Sequence, residues 1–441
     1  TVPFFNQVAD KYITIPWHTP IFWLLGLSFT LLTGLIAGSY PALYLSSFRP
    51  VAVLKGPFRL GNSIATPRRV LVVLQFTVSI TLIIGTLVVY RQIQHAKNRP
   101  IGYSRDGLIS LLLNVPDYGK HRETVRDELL KTGAVLEVGE SASPLTEVRS
   151  TNGGFNWPGK DPSLQVNFAT VGISAEFGKT VGWQFSQGRD FSRQLASDSL
   201  GLVLNESAVA FMGLRNVIGQ TVSWKGNGFD VQFHIIGVIN DMVMDSPYEP
   251  VKPSVFFIAK QPGKFLTMRL NPQRPAQASL TAIGDVLKEH LPEAPFNYTF
   301  VDNEYDQKFR SEERIGQIAS LFAGLAIFIS CLGLFGLASF MAEQRTKEIG
   351  VRKVLGASVL NLWGLLSKDF VVLVIIAFVI AAPLAGYALH NWLQHYEYHT
   401  DISWWVFAVS GAGALLVTLL TVSFQSIKAA LMNPVKSLRS E

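Results

Sequence analysis

Among 441 residues the chain holds a single cysteine, Cys331, and that one lies inside an apolar stretch. No disulfide can form within the chain, so any part facing an oxidising compartment must be held by its hydrophobic core. Cys331 reads as a small packing residue. Charge is scarce as well: Asp, Glu, Lys and Arg make up 16% of residues against 48% hydrophobic, and the mean hydropathy is +0.27. That is too apolar for an ordinary soluble protein. A complete phosphate loop, Gly-x-x-x-x-Gly-Lys-Ser/Thr, is missing, which excludes a P-loop ATPase within these residues. The long apolar stretches carry no Asp, Glu, Lys or Arg in their central parts, where a proton- or ion-coupled carrier usually needs one. Nor is there a basic patch interleaved with aromatics, which argues against nucleic-acid binding.

What is present is apolar length. A bilayer core takes about 20 mostly apolar residues per helix, and five stretches qualify: 21–45, 70–90, 315–342, 370–392 and 402–427. Residues 46–69 hold Arg49, Lys55, Arg59, Arg68 and Arg69 with no acid, and residues 343–369 hold Arg345, Lys347, Arg352, Lys353 and Lys368. The tail adds Lys428, Lys436 and Arg439, whereas residues 393–401 carry Glu397 and Asp401 without any Lys or Arg. The bias of positive charge toward the cytoplasm places the three basic segments inside, and residues 1–20 and 91–314 outside. The net charge of +6 is thus concentrated in cytoplasmic loops, which suits topology and contact with anionic lipid. Ser320, Gly324, Ser330, Gly333, Gly336 and Ser339 supply small residues for close helix packing, and Pro383 is expected to kink its helix.

The segment Met341-Ala-Glu-Gln-Arg-Thr-Lys-Glu-Ile-Gly-Val-Arg-Lys-Val-Leu-Gly-Ala-Ser358 stands between two spans. Lys347, Glu348, Arg352 and Lys353 are costly in hydrocarbon, so the segment lies at a membrane face. Ile349, Val351, Val354 and Leu355 give it an apolar stripe able to rest on lipid or dock on a soluble partner. Gly350 and Gly356 are expected to flank a short helix. The plain alternative is a solvated loop whose charge only sets topology.

A repeat is also visible. With one constant offset, Ser39, Pro50, Val51 and Leu54 fall on Ser423, Pro434, Val435 and Leu438. Each copy reads as a helix that leaves the membrane and stops before a Pro, as duplication would produce. The chain opens with Thr, without a signal-peptide pattern, so an outside N-terminus predicts that further sequence precedes it.

Residues 345–358 and the terminal Asn433-Pro-Val-Lys-Ser-Leu438 closely resemble FtsX-like ABC-transporter permeases, in particular those of the MacB-like, macrolide-exporter type. The resemblance implies the C-terminal part of a longer duplicated permease. Its fold would be an α-helical membrane protein of five transmembrane helices with a large extracytoplasmic α+β domain. The expected division is an extracytoplasmic segment 1–20, the last helix of an incomplete first block 21–45, and a cytoplasmic linker 46–69. A transmembrane helix 70–92, a MacB-like periplasmic core domain 93–313 and an FtsX-like C-terminal domain 314–441, with helices 315–342, 370–392 and 402–427, complete it.

In the outer domain, residues 107–115, 121–131 and 134–138 read strand, helix, strand, and residues 265–270, 276–291 and 297–301 repeat that order. Two βαβ-like units flanking an insert predict a split, ferredoxin-like core with a strand-rich insert. Within the insert, Asn205 caps a helix over 205–213, and 229–240 is a strand. Gly188-Arg-Asp-Phe-Ser192, Leu204-Asn-Glu206 and Ile236-Gly-Val-Ile-Asn-Asp241 resemble the MacB-like periplasmic core, whose second subdomain the insert would form.

The resemblance implies that Arg345, Lys347, Glu348, Ile349, Gly350, Val351, Arg352, Lys353, Leu355 and Gly356 couple the permease to a cytoplasmic ABC ATPase subunit. Only residues 90–99 and 303–314 would join the outer domain to the membrane, as stalks. The expected location is the inner membrane of a bacterium, with the lipid bilayer and a second permease copy as partners. A periplasmic adaptor and an outer-membrane channel are left open, and no cofactor or nucleic acid is expected. The function implied is export of an antibiotic, peptide or lipoprotein-like substrate. The alternative is a non-transporting mechanotransmission regulator of a cell-wall hydrolase, or a peptide-antibiotic sensor. His390, His395, Glu397 and His399 could hold a metal, with His395 and His399 at i,i+4 on a helix face. Trp392, Tyr396, Tyr398, Trp404 and Trp405 around them favour an interfacial aromatic belt instead. Asp190, Asp241 and Asp245 lack a His or Ser partner pattern and suit turns and caps better than catalysis.

Overall fold

The computed structural model describes residues 2–9, 11–46, 65–115, 118–226 and 229–431. Six of the eight repeat positions, Pro50, Val51, Leu54, Pro434, Val435 and Leu438, lie outside the described residues. The chain forms two compact units, a membrane unit of Thr1–Tyr90, Glu312–Trp392 and Asp401–Glu441, and an outer unit of Arg91–Ser311 with Leu393–Thr400.

In the membrane unit, four helices among the described residues are long and apolar enough to cross a bilayer: Arg69–Lys97, Arg310–Gln344, Val359–Leu393 and Trp404–Lys428. The Pro20–Ser46 helix adds a further apolar stretch over Pro20–Ile36. Hydroxyls inside these helices satisfy themselves on their own backbone: Thr77, Ser410 and Thr418 each donate to the carbonyl four residues back at 2.8 Å, as hydrocarbon demands. Between helices, the Ser79 and Ser330 hydroxyls meet at 3.1 Å, both buried. Gly333 lies against the end of the Gln75 carboxamide, which a Cβ would displace, and Gly411 lies against the Phe378 ring. Gly324 and Gly336, also expected to pack closely, face open space. Pro383 is accommodated inside one unbroken helix.

The third span begins at Val359 rather than 370, with Lys368 and Asp369 inside the helix. Lys368 is exposed and Asp369 half-buried. The expected cytoplasmic loop is therefore largely helical.

The outer unit is built on one sheet. Its strands are β1 Leu108–Leu112, β2 Val135–Ser141, β3 Thr151–Asn152, β4 Phe155–Asn156, β5 Phe168–Ile173 and β6 Phe185–Gly188. They continue with β7 Gly201–Asn205, β8 Thr221–Gly226, β9 Phe229–Ile239, β10 Ser254–Ile258, β11 Phe265–Leu270 and β12 Tyr298–Phe300. The order is β12-β1-β11-β2-β5-β10-β7-β9-β8-β4, with β3 on β5 and β6 on β9. The first four strands of that path are mutually antiparallel. Helices Tyr118–Lys131 and Ala276–His290 connect β1 to β2 and β11 to β12. This is the split βαβ arrangement of ferredoxin-like folds. The periodicity explains it: Val125 and Leu129 on one helix and Leu280, Ile283 and Leu287 on the other pack on Ile109, Val138 and Met268.

The insert does not make a separate sheet. It continues the same one through a narrow seam, where Ser141 pairs with Ile173, the Ala142 N–H donates to the Gly172 carbonyl at 2.9 Å, and the Ser174 N–H donates to the Glu140 carbonyl at 3.0 Å. Its own core is aromatic, with Phe155, Trp157, Phe168, Trp224 and Phe233 buried together. Asn205 caps the Glu206–Met212 helix by accepting from the Ala208 N–H at 3.0 Å. The same oxygen accepts from the Ser254 N–H at 2.8 Å, tying the cap to β10.

Candidate coupling site

The charged segment after the Arg310–Gln344 helix folds as a helix, a tight turn and a second helix. The Thr346–Val354 helix carries Glu348 in its first turn and Arg352 and Lys353 in its last, an arrangement that suits the helix dipole. Glu348 and Arg352 also pair at i,i+4, 2.8 Å apart. Gly350 lies inside this helix rather than at its edge. Gly356 ends it at φ +90°. The Gly356 N–H donates to the Lys353 carbonyl at 3.1 Å and the Ala357 N–H to the Arg352 carbonyl at 3.0 Å, the paired bonds of a Schellman stop. The Ser358 hydroxyl then accepts from the Asn361 N–H at 3.3 Å, capping the next helix.

The apolar stripe expected from the sequence divides in two. Ile349, 4% exposed, packs on Leu362 and Leu366, so it anchors the helix and is withdrawn from any outer contact. Val354 and Leu355 are 66% and 80% exposed, and Leu360 across the turn is 75% exposed. Arg345 pairs with Asp369 at 2.9 Å, fixing the start of the short helix to the span that follows. Leu360 and Asp369 were not singled out by sequence reasoning. The signal for them was the Gly-Ala-Ser stop at 356–358, which implies a second helix beginning at 359.

In the outer unit the three acids singled out from sequence are structural. Asp241 accepts from the Ser207 N–H at 2.8 Å and the Ser207 hydroxyl at 2.6 Å. Asp245 accepts from the Val148 N–H at 2.8 Å and pairs with Lys252 at 2.5 Å. Asp190 accepts from the Phe191 N–H at 2.8 Å, and burial raises its carboxyl from 3.8 to about 6. The tripeptide Gly178-Lys179-Thr180, which sequence reasoning passed over, follows β5 as a phosphate loop would. However, Ile173 stands where the loop needs its first Gly, the helix Phe177–Val181 is five residues long, Lys179 pairs with Glu137, and the Asp190 carboxylate crowds Gly178. It is no phosphate site.

Residues 394–400 are not helical, so His395 and His399 do not share a helix face, and no metal-binding group is found among the described residues. Tyr396 and Tyr398 pack within the outer unit, Tyr396 on Tyr248 at 5.0 Å and Tyr398 on His95 at 4.5 Å. Leu393–Thr400 is therefore a third chain segment, beside 91–99 and 303–311, that leads from the outer unit into the spans.

Several helices long and apolar enough to cross a membrane, a charged helix between two of them and a large mixed α/β domain make up the described residues. A model of the FtsX-like permease C-terminal domain matches residues 320–434, and a model of the MacB-like periplasmic core domain matches residues 70–281. The chain is an FtsX/MacB-type permease, a multi-pass inner-membrane protein with an extracytoplasmic domain. Among its relatives, the macrolide export ATP-binding/permease protein MacB of Chromobacterium violaceum is 22% identical over 292 residues, covering 63% of this chain and 44% of the relative. The protein of the same description from Nitrobacter winogradskyi is 23% identical over 292 residues, covering 62% and 40%. The chain thus spans less than half the length of these curated relatives. The periplasmic region of MacB from Actinobacillus actinomycetemcomitans aligns with a TM-score of 0.34 and 16% identity, over 47% of this chain and 94% of that one.

Proposed function

We propose that this chain is the membrane permease subunit of an ABC-type export system and is driven by a separate ATPase subunit. The observation that carries the reading is the pinned cytoplasmic helix. Ile349 and Arg345 hold it to the unit from beneath, while Val354, Leu355 and Leu360 remain exposed beside the Glu348–Arg352 pair. A fixed helix with an apolar tip and a charged flank suits helix-in-groove docking. Of the candidate coupling residues, Leu355, Val351, Glu348, Arg352 and Lys353 would make the contact, and Ile349, Gly350 and Gly356 would shape the helix. The relatives' names join an ATP-binding part to a permease part, which supports the same pairing here.

The finer reading has five spans, with 21–45 as the first, a cytoplasmic linker 46–69, a periplasmic core domain over 93–313 and the FtsX-like domain over 314–441. A second copy completes the permease, and the exported molecule is an antibiotic, a peptide or a lipoprotein-like substrate. A periplasmic adaptor and an outer-membrane channel would carry it onward.

The test is Leu355→Asp in the complete permease. Docking would bury an unpaired carboxylate, a cost of roughly 3 kcal/mol or more, about a hundred-fold in affinity. Membrane insertion is expected to persist while co-purification with the ATPase is lost, whereas Arg352→Ala at the exposed rim has little effect. If Leu355→Asp still binds the ATPase with normal affinity, the segment only sets topology and the reading fails.

A further inference from the structure

Three chain segments of the outer unit run directly into membrane helices, and all three close on one irregular loop, residues 242–249. On the first segment, the Arg99 guanidinium donates to the Pro247 carbonyl at 2.9 Å and the Glu249 carbonyl at 2.7 Å. On the second, the Lys308 ammonium donates to the Met244 carbonyl at 2.7 Å and also to the carbonyls of Asp245 and Thr146, while Phe309 packs edge-on to Tyr248 at 5.8 Å. On the third, the Tyr398 N–H donates to the Tyr248 carbonyl at 3.0 Å and Tyr396 lies on the Tyr248 ring.

The segments also grip one another. Gln92, 1% exposed, donates to the Tyr398 carbonyl at 2.9 Å and accepts from the Thr400 N–H at 2.8 Å. The Arg99 guanidinium stacks on the Tyr398 ring at 4.4 Å, and the Lys97 ammonium lies over Phe309 at 5.5 Å.

The junction lies apart from the clusters built around Ile109 and around Phe155, and it buries Met242, Val243, Met244 and Tyr248 of its own. Loops ordinarily leave their carbonyls to water. Here two cations on two different segments spend their donors on the carbonyls of a single loop, with Tyr248 at its centre. Charge-assisted bonds, which are short and directional, tie the first two segments to that loop, and a backbone hydrogen bond with a ring contact ties the third.

Resting on the permease reading above, we infer that residues 242–249 form a junction that locks the three membrane-connected segments into one cooperative unit, with Tyr248 as its pin and Lys308 and Arg99 as its clamps. The junction makes the outer domain respond to the spans as a single body rather than strand by strand. Tyr248 and Lys308 are positioning residues in this device.

The experiment has two arms, so that a failure of the junction is distinguishable from a failure of the permease reading. In the first, the full chain in nanodiscs without any partner is followed by amide hydrogen exchange. Tyr248→Ala, and separately Lys308→Met, should speed exchange by about ten-fold or more at residues 92–99, 303–309 and 396–400 together, as expected for one cooperative opening. Strands β1 and β11 should keep their protection. Faster exchange confined to residues 242–249, or to one segment alone, overturns the junction. Loss of protection in β1 and β11 as well, in both variants, also overturns it, since the loop would then be part of the general fold.

In the second arm the complete permease is reconstituted with its ATPase, and spin labels at Ser192→Cys and Arg69→Cys in a Cys331→Ser background report distance. ATP should change that distance in the parent and not in Tyr248→Ala, with ATPase binding retained. A preserved ATP response in Tyr248→Ala overturns the transmission role. No ATP response in the parent, with the first arm positive, sinks the permease reading and leaves the junction standing.

Discussion

The membrane unit and the outer unit treat buried polar groups in opposite ways. In the membrane unit buried hydroxyls such as Thr77 and Thr418 close on their own helices, and close helix contacts include Ser79–Ser330 and the bare Gly333. In the outer unit, charged groups such as Asp198 and Glu140 are buried and held by charged partners. Arg189 grips Asp198 with two bonds of 2.6 and 2.7 Å, Lys308 reaches three carbonyls, and Arg122 lies 2.9 Å from buried Glu140. Hydrocarbon offers no water to share the cost of a charge, so the central parts of the spans hold none and charges such as Lys368 and Asp369 lie toward helix ends. A domain in water can bury a charge where its partner is built in, and it gains a fixed geometry in return. The outer unit should therefore be sensitive to single polar and backbone changes, and the membrane unit tolerant of them.

The largest expected effect lies in the outer unit's backbone. Gly154 stands at φ +85°, and a Cβ there would collide with the Lys225 carbonyl oxygen. Lys225 in turn donates to the Gly154 carbonyl at 2.9 Å, so the two strand ends cannot separate without losing the pairing of β4 with β8. Gly154→Ala is expected to cost roughly 3 kcal/mol or more, from strain at positive φ plus the clash. Thermal unfolding of the detergent-solubilised chain, followed by tryptophan fluorescence, reads this directly, since Trp157 and Trp224 sit in that core. An unchanged midpoint would show that β4 is dispensable.

Next comes the ion pair. Asp198 is 1% exposed and also accepts from the Ser192 N–H at 2.9 Å, while Arg189 is about half exposed. The bonds from Arg189 hold the Asp198 carboxyl below its ordinary value. A depressed carboxyl contributes stability above its unfolded value and loses it as pH falls through the folded one. Asp198→Asn is expected to cost about 2 kcal/mol at neutral pH, less than a fully buried pair because Arg189 keeps water. The cost should shrink in acid, below the ordinary carboxylate range. A loss that stays constant with pH would mean that shape, not charge, is what Asp198 supplies.

A smaller effect is expected in the membrane unit. Gly333→Leu pushes against the end of the Gln75 side chain, which has rotamers to spare, so overpacking should cost about 1 kcal/mol. If it unfolds the helices outright, as judged by size-exclusion behaviour in detergent, the tolerance assigned to this unit is wrong.

Much of this division was legible in the sequence, because it rests on local patterns. Uncharged runs marked four of the long helices, alternation at Phe265–Leu270 marked β11, and Asn205 announced its helix. Two βαβ-like units around an insert led to the split core, since each unit is written in consecutive residues. Contacts between distant residues were not legible. Nothing local says that Ile349 turns inward to Leu362 and Leu366 while Leu355 turns outward, because both fit one amphipathic stripe. Nor does anything local pair Tyr396 and Tyr398 with Tyr248 and His95, which lie far away in the chain. Lys308 carried no signal at all: backbone carbonyls, its only hydrogen-bond acceptors here, have no letter in the sequence.

The smallest effect runs the other way and separates two neighbouring acids. Asp190 is mostly buried and, unlike Asp198, lacks a two-pronged guanidinium. Burial raises its carboxyl from 3.8 to about 6, and the bond from the Phe191 N–H and the nearby Arg189 charge offset only part of that. A folded value above the unfolded one means that the native state binds the proton more tightly between those two values. Asp190 is therefore least costly in acid, below about 4, and its cost grows as pH rises from 3.8 through 6. Asn keeps the carbonyl oxygen that accepts from the Phe191 N–H and removes the buried charge. Asp190→Asn should stabilise the outer unit by about 1–2 kcal/mol at pH 7.5, a value reduced from the full shift because the group keeps some water. The gain should vanish below pH 4. Unfolding midpoints of the parent and variant at pH 4 and pH 7.5 decide it, with equal midpoints at pH 4 and a higher one for the variant at pH 7.5 as the expected outcome. Destabilisation by Asn at pH 7.5 would show that Asp190, like Asp198, serves a partner as a charge, and the contrast between the two acids would fall.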